Sequence, residues 1–212
     1  ISDGRTYRES DMVKADCGGC NGCSRCCHGM GNSIILDPYD VYRMTTGMGK
    51  SMQELLAASV ELNVVDGVIL PNLKMQGAEE ACAYLDGEGR CSIHPYRPGI
   101  CRLFPLGRYY ENGGFSYFLQ TGECAKENRS KIKVSKWIDT PDLTRNQQFT
   151  LQWHDLLHAM EERLTGEDEG KQREENLLLL RLFYLLPYEG TIDFYTQFTE
   201  RMEHWNGQNG QI

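Results

Sequence analysis

The feature that most constrains this chain is a group of five cysteines within eleven residues of a glycine-rich segment. An ordinary hydrophobic core has no need of thiols at that density, whereas thiolate is a favoured ligand of zinc, copper(I) and iron–sulfur clusters. Four single cysteines follow at wider spacing. The nine are Cys17, Cys20, Cys23, Cys26, Cys27, Cys82, Cys91, Cys101 and Cys124. The pattern therefore predicts a thiolate metal site.

Disulfide bonds are a less suitable use for these cysteines. Their number is odd, and a chain of 212 residues is not a small disulfide scaffold. Cys26 and Cys27 are adjacent, so a bond between them would be strained. We therefore expect reduced thiols and a cytoplasmic protein.

The net charge and the hydrophobic pattern limit the kinds of partner that the sequence predicts. The formal net charge of −8 does not favour nucleic acid, whose non-specific binding depends on phosphate neutralisation by Lys and Arg. The longest apolar run, Leu177–Leu186, is interrupted by Arg181 and is shorter than the ~20 residues of a membrane span. We expect neither a nucleic-acid partner nor a membrane.

Local sequence signals predict both helices and strands. Asp37-Pro38 predicts an N-cap with proline at the first helical position. Ser51 predicts the cap of a second helix that runs to about Leu62. The β-branched run Val64–Leu70 predicts a short strand.

The second half of the chain predicts a hairpin and then helices. Residues 108–120 predict a β-hairpin around the turn Asn112-Gly113. Helical spacing follows in three segments: Phe149–Leu164, Gln172–Leu186 and Ile192–Trp205. The predicted fold class is α+β, with a small cysteine-rich metal-binding core over residues 17–136. C-terminal helices over residues 137–212 pack on that core and brace it.

The cysteine spacing favours an iron–sulfur cluster over zinc. The C-x2-C-x2-C run is found in bacterial ferredoxins, where it binds [4Fe–4S]. Zinc sites more often pair two C-x2-C knuckles, and the later cysteines here stand singly. The expected cofactor is a [4Fe–4S] cluster, with zinc as the alternative.

Five arginines stand close to cysteines in the sequence: Arg25, Arg90, Arg97, Arg102 and Arg108. Cations of this kind offset the negative charge of a thiolate-bound cluster. The alternative interpretation is that they are ordinary surface arginines.

The adjacent pair Cys26–Cys27 leads to a geometric prediction. Neighbouring side chains of an extended chain point to opposite faces. The two sulfurs are therefore predicted to serve different centres. One centre would include Cys20 and Cys23, and the other would include cysteines from residues 82–124.

Two boxes of sequence carry a family resemblance. The first is Cys20-x2-Cys23-x2-Cys26-Cys27. The second is Cys82-Ala83-Tyr84-Leu85-Asp86 followed by Gly89-Arg90-Cys91-Ser92-Ile93-His94-Pro95-Tyr96-Arg97-Pro98-Gly99-Ile100-Cys101-Arg102-Leu103-Phe104-Pro105. Over about residues 17–124 the chain resembles the YkgJ-type cysteine-cluster family, the zinc- or iron-chelating CxxCxxCC family. Flagellin lysine N-methylases carry the same box.

The resemblance implies a set of eight ligands. They are Cys20, Cys23, Cys26, Cys27, Cys82, Cys91, Cys101 and Cys124. This number suffices for two four-thiolate sites, so two metal centres are expected. Cys17 stands upstream of the basic box, and its role as a ninth ligand stays open.

Three functions are compatible with these residues. The leading hypothesis is a metal-cluster protein, most simply iron–sulfur, in electron transfer or redox chemistry on a protein partner. The first alternative is a zinc-stabilised interaction module without catalysis. The second is a protein lysine N-methyltransferase that resembles the flagellin methylases and acts on a protein substrate. No methyl-donor motif is legible, so no catalytic residue is predicted.

Overall fold

The computed structural model describes residues 2–18, 23–126 and 128–209, and over these residues the fold combines helices with small antiparallel strand pairs. The helices are α1 Pro38–Met48, α2 Met52–Ala58, α3 Gly99–Leu103, α4 Val134–Ile138, α5 Leu143–Leu164, α6 Glu169–Leu180 and α7 Phe194–Asn209. The strands are β1 Met12–Asp16, β2 Val60–Val65, β3 Val68–Leu73, β4 Met75–Gln76, β5 Ala81–Cys82, β6 Leu106–Glu111, β7 Gly114–Leu119 and β8 Ser130–Lys133. The pairs are β1–β8, β2–β3, β4–β5 and β6–β7. The predicted α+β class is confirmed.

Capping residues start both N-terminal helices where the sequence predicts. The Asp37 side chain accepts from the Asp40 backbone N–H at 2.8 Å, and Asp40 accepts from the Asp37 N–H in return. Ser51 forms the same kind of capping box at the start of α2. Helix α2 ends at Ala58, so its predicted extension to Leu62 is wrong.

The predicted strand Val64–Leu70 is in fact the end of one strand and the start of another. Asp66 and Gly67 take left-handed conformations, with φ of 51° and 83°, and form a tight turn between β2 and β3. Two such residues suit a two-residue hairpin connection. The predicted hairpin at residues 108–120 is confirmed as β6–β7, with Asn112 and Gly113 at its turn.

The predicted C-terminal helices are present. α5 covers the first of them and begins earlier, and α6 continues into a π-helical segment, Arg181–Leu185. α7 covers the third. Within the described part of the chain, no helix has the combined length and apolar character needed to cross a bilayer.

The larger hydrophobic core joins the two halves of the chain. It contains residues of α1, α2, the β2–β3 hairpin and the C-terminal helices. The Tyr39 ring of α1 lies 4.9 Å from the Phe194 ring of α7. Asn176 of α6 accepts from the Ile69 N–H at 2.6 Å and so fastens α6 to the hairpin. The division at residue 137 stays a prediction.

A smaller core lies under the N-terminal strand. Strand β1 pairs with β8, which brings Val13 and Ala15 against the β6–β7 hairpin and α4. This strand ends at Asp16, directly before Cys17. The pairing therefore places the first cysteine beside the segment that carries Cys124.

Candidate metal centre

A cavity of about 450 Å³ lies between the two cores. Leu73 and Ile93 of the larger core and Leu106 of the smaller core form part of its wall. Six cysteines also line it: Cys23, Cys26, Cys27, Cys82, Cys91 and Cys101. Cysteines from three separate segments of the chain are thus gathered around one space.

Backbone hydrogen bonds position the first of these segments. Arg25–Cys27 form a single 3-10 turn, in which the Cys27 N–H donates to the Ser24 carbonyl at 2.8 Å. The Gly29 N–H then donates to the Glu80 carbonyl at 3.0 Å. This bond holds Cys26 and Cys27 against β5, the short strand that carries Cys82.

Turns position the second segment. Asp86 closes a loop, because its carboxylate accepts from the Arg90 N–H at 2.8 Å. The Ser92 N–H donates to the Tyr84 carbonyl at 2.9 Å. Cys91 is therefore held directly beside the Cys82 segment.

Helix α3 carries Cys101, and a hydrogen bond to α1 anchors its N-terminal end. The Gly99 N–H at its start donates to Asp40 Oδ1 at 2.6 Å. Asp40 is only 2% exposed and Arg102 only 5%. Asp40 was not among the residues that the sequence singled out, so its contact with the cysteine helix was not predicted.

The thiols interact with one another electrostatically. The Cys27 thiol donates to the Cys26 sulfur, and this bond lowers the pKa of Cys26 to about 6 and raises the pKa of Cys27. Burial raises the pKa of Cys82, Cys91 and Cys101, and the charge on Cys26 raises each further. Because the ionised sulfurs repel, a bound cation is what would allow all of them to be thiolates.

A second, smaller cavity adjoins the first. It has a volume of about 20 Å³ and is lined by Cys17, Cys23, Cys26 and Cys124. The Trp137 ring covers one side, fixed by its indole N–H, which donates to the Leu103 and Phe104 carbonyls at 3.2 Å each. Cys23 and Cys26 line both cavities and so form the wall between them.

The predicted ligands divide between these two spaces. Seven of the eight lie on a cavity wall, and Cys124 joins Cys17 in the smaller one rather than Cys82, Cys91 and Cys101 in the larger one. The eighth, Cys20, lies outside the described residues. Among the residues that the structure does describe, no three His, Cys, Asp or Glu side chains close into a coordination shell. The sulfurs line the two cavities, and their donor chemistry fits a thiolate-bound metal.

The geometric premise for Cys26 and Cys27 was wrong. The two residues lie in a 3-10 turn rather than an extended strand, so their side chains do not point to opposite faces. Both sulfurs reach the larger cavity, and Cys26 alone of the pair also reaches the smaller one. The assignment of Cys26 and Cys27 to two different centres stays a prediction. It now rests on the observation that Cys26 lines both cavities, whereas Cys27 lines only the larger one.

Three of the five arginines near the cysteines line the larger cavity. They are Arg25, Arg90 and Arg97, with His28 and His94 beside them. Arg97 is near enough to lower the pKa of Cys26. Arg102 and Arg108 lie elsewhere: Arg102 is buried against Tyr39, and Arg108 lies over the Phe115 ring.

An α+β fold in which two cavities are lined by cysteines from distant segments defines a cysteine-cluster protein. Comparison with family models matches residues 19–149 to CxxCxxCC, described as "Putative zinc- or iron-chelating domain". The chain belongs to this family, and the resemblance seen in the sequence is confirmed. Cys17 lies just outside the matched residues. Comparison with curated proteins and with solved structures gives no significant match.

Proposed function

We propose that the larger cavity holds an iron–sulfur cluster and that the protein transfers electrons to or from a protein partner. One observation carries this proposal: six cysteines surround a space of about 450 Å³. A single zinc ion bound at about 2.3 Å to each of four sulfurs needs a small closed cage. A polynuclear cluster fits a wide, thiol-lined cavity better than a single ion does.

The residues around the cavity suit such a group. Thiolates of the four cysteines that line only the larger cavity, Cys27, Cys82, Cys91 and Cys101, would hold it, and Arg97 would offset part of its negative charge. Met30, Ile34 and Ile93 would exclude water, which together with hydrogen bonds to sulfur sets a reduction potential. When bound, a cluster of this type supplies one-electron transfer.

The test is anaerobic purification followed by iron, sulfide and zinc analysis. We expect iron and acid-labile sulfide, visible absorbance, and an electron paramagnetic resonance signal after reduction. Cys101→Ser removes a thiol that lines only the larger cavity, and it should lower iron and sulfide together. Cys17→Ser is the matched control, because Cys17 does not line that cavity. Stoichiometric zinc with neither iron nor sulfide would refute the cluster.

The smaller cavity favours a second candidate, a structural zinc site. Its volume of about 20 Å³ is enough for one ion and too small for a cluster. In this case the protein, or this part of it, would be a zinc-stabilised interaction module. Cys124→Ser should then lower zinc by about one ion per chain while iron stays unchanged. Loss of iron in that variant would instead assign Cys124 to the cluster.

A further inference from the structure

We propose that the mouth of the larger cavity is a docking face for an acidic protein. This inference rests on the proposed function, because the acidic protein would be the partner that exchanges electrons with the cluster. The face is formed by Arg25, Arg90, Arg97, His94 and Ile100, which we name the arginine rim.

The charge at the arginine rim is opposite to that of the whole chain. The chain carries 30 acidic and 22 basic residues, for a net charge of −8. Among the described residues that line the cavity, three are arginines and only one, Glu123, is acidic. A local reversal of this kind attracts an acidic surface.

The guanidinium groups of the rim are available to a partner. Elsewhere in the chain, Arg145 pairs with Asp193 at 2.7 Å and Arg163 pairs with Glu175 at 2.9 Å. Over the described residues, the guanidinium groups of Arg25, Arg90 and Arg97 form neither an ion pair nor a hydrogen bond.

The three arginines divide into an inner and an outer set. Arg97 is half-buried, and its charge acts on Cys26 and Cys91. Arg25 and Arg90 are exposed. Arg97 therefore serves the thiolates, whereas Arg25 and Arg90 face solvent, where a partner would arrive.

An apolar contact accompanies these charges. Ile100, next to Cys101, lines the cavity and is 41% exposed, and Phe104 lies half-buried behind it. An apolar centre with a charged rim is the usual composition of a protein interface. Complexes for electron transfer are small and rely on electrostatic steering, which matches a few arginines around one isoleucine.

The test measures binding of a fluorescein-labelled oligoglutamate peptide to the metal-loaded full chain by fluorescence anisotropy. We expect binding at low ionic strength that weakens as salt is added. The double variant Arg25→Glu/Arg90→Glu should bind about tenfold more weakly or worse, since two attractive charges become repulsive. The control Arg173→Glu/Arg181→Glu changes net charge equally at two exposed arginines of the C-terminal region. It should bind like the wild type.

Two outcomes would overturn the docking face. Equal loss in both double variants would mean that net charge alone governs binding. Tighter binding of a single-stranded oligonucleotide than of the peptide would make the rim a nucleic-acid site. Metal analysis of the same samples separates this test from the proposed function. If a protein that lacks iron showed rim-dependent binding, the docking face would be supported and the cluster refuted. If a protein that contains iron and sulfide showed no rim-dependent binding, only the docking face would be refuted.

Discussion

Asp40 links the start of α1 to the helix that carries Cys101. Its two carboxylate oxygens accept from the Gly99 and Asp37 N–H groups, and it is buried near Arg102. Two nitrogens of Arg102, Nε and Nη1, have no hydrogen-bond partner among the described residues. Burial of a carboxylate costs free energy unless its hydrogen bonds are complete. The stability of the region around helix α3 should therefore be sensitive to a change at Asp40.

Titration of Asp40 should make stability fall as pH rises. Burial, together with the Asp37 carboxylate, raises the pKa of Asp40 although Arg102 opposes the shift. The folded state therefore keeps this proton above the ordinary value of about 3.9, and its stability falls as pH rises through the folded pKa. In Asp40→Asn, the free energy of unfolding should fall by at least about 1 kcal/mol less than in the wild type between about pH 4 and about pH 8.

Urea unfolding of metal-free protein at several pH values measures this difference. Asp66→Asn is the matched control, because Asp66 lies in the exposed β2–β3 turn, where asparagine also accepts a positive φ. Its pH dependence should match the wild type. Parallel curves for Asp40→Asn and wild type would show that Asp40 does not titrate in this range.

At the scale of elements, α1 packs closely on the turn between Cys91 and Cys101. A Cβ added at Gly47 would fall inside van der Waals contact of the Tyr96 ring. Gly47→Ala should therefore lower the free energy of unfolding by about 1–3 kcal/mol through overpacking. It should also lower metal content, because the displaced turn carries two predicted ligands.

Thermal or denaturant unfolding with metal analysis tests this packing. Gly207→Ala is the control, since that glycine is also helical and a Cβ there meets nothing within 4 Å. It should raise stability by up to about 1 kcal/mol through helix propensity. If Gly47→Ala were as stable as Gly207→Ala, the Tyr96 contact would not be a tight one.

Elements whose signals are local could be predicted from the sequence. The helix starts at Asp37 and Ser51 follow from capping side chains a few residues away. The run Val64–Leu70 was assigned to a single strand because its β-branched residues favour a strand on both sides of the Asp66-Gly67 turn. Strand β1 was not predicted, because it is fixed by pairing with β8 on the far side of the cysteine region.

The same division applies to the site. The spacing of the cysteines predicted a thiolate site, since a run of thiols has few other uses, and the family resemblance implied the set of eight ligands. It could not show that Cys124 lies with Cys17, which depends on the β1–β8 pairing and on the position of Trp137. The error over Cys26 and Cys27 arose because a 3-10 turn leaves no sequence pattern of its own in three residues.

At the scale of the whole molecule, the segments around the larger cavity and the helices should differ in their need for metal. The larger core is built from helices and the β2–β3 hairpin, and Cys82, Cys91 and Cys101 pack against it without being among its buried residues. The segments around the cavity are short turns and two-residue strands. Metal ligation should therefore stabilise these segments rather than the helices.

Hydrogen–deuterium exchange before and after metal removal measures this difference. Anaerobic chelation should speed exchange in residues 23–35 and 81–103, whereas amides of α5 and α7 should keep their protection. The helices serve as the internal control in each sample. A uniform rise in exchange across the chain would show that the metal sites hold the whole fold together.

The core that Leu73 and Ile93 of the cavity wall share with α7 also bears on how the protein is made. Leu73 and Ile93 belong to a core that is completed by Phe194, Phe198 and Trp205 of α7. A ribosome delivers the cysteines before these aromatic residues, so the thiols emerge while the core that adjoins their cavity is still incomplete. Assembly of the metal centres should accordingly follow the synthesis of α7, on a chain whose thiols have been kept reduced until then.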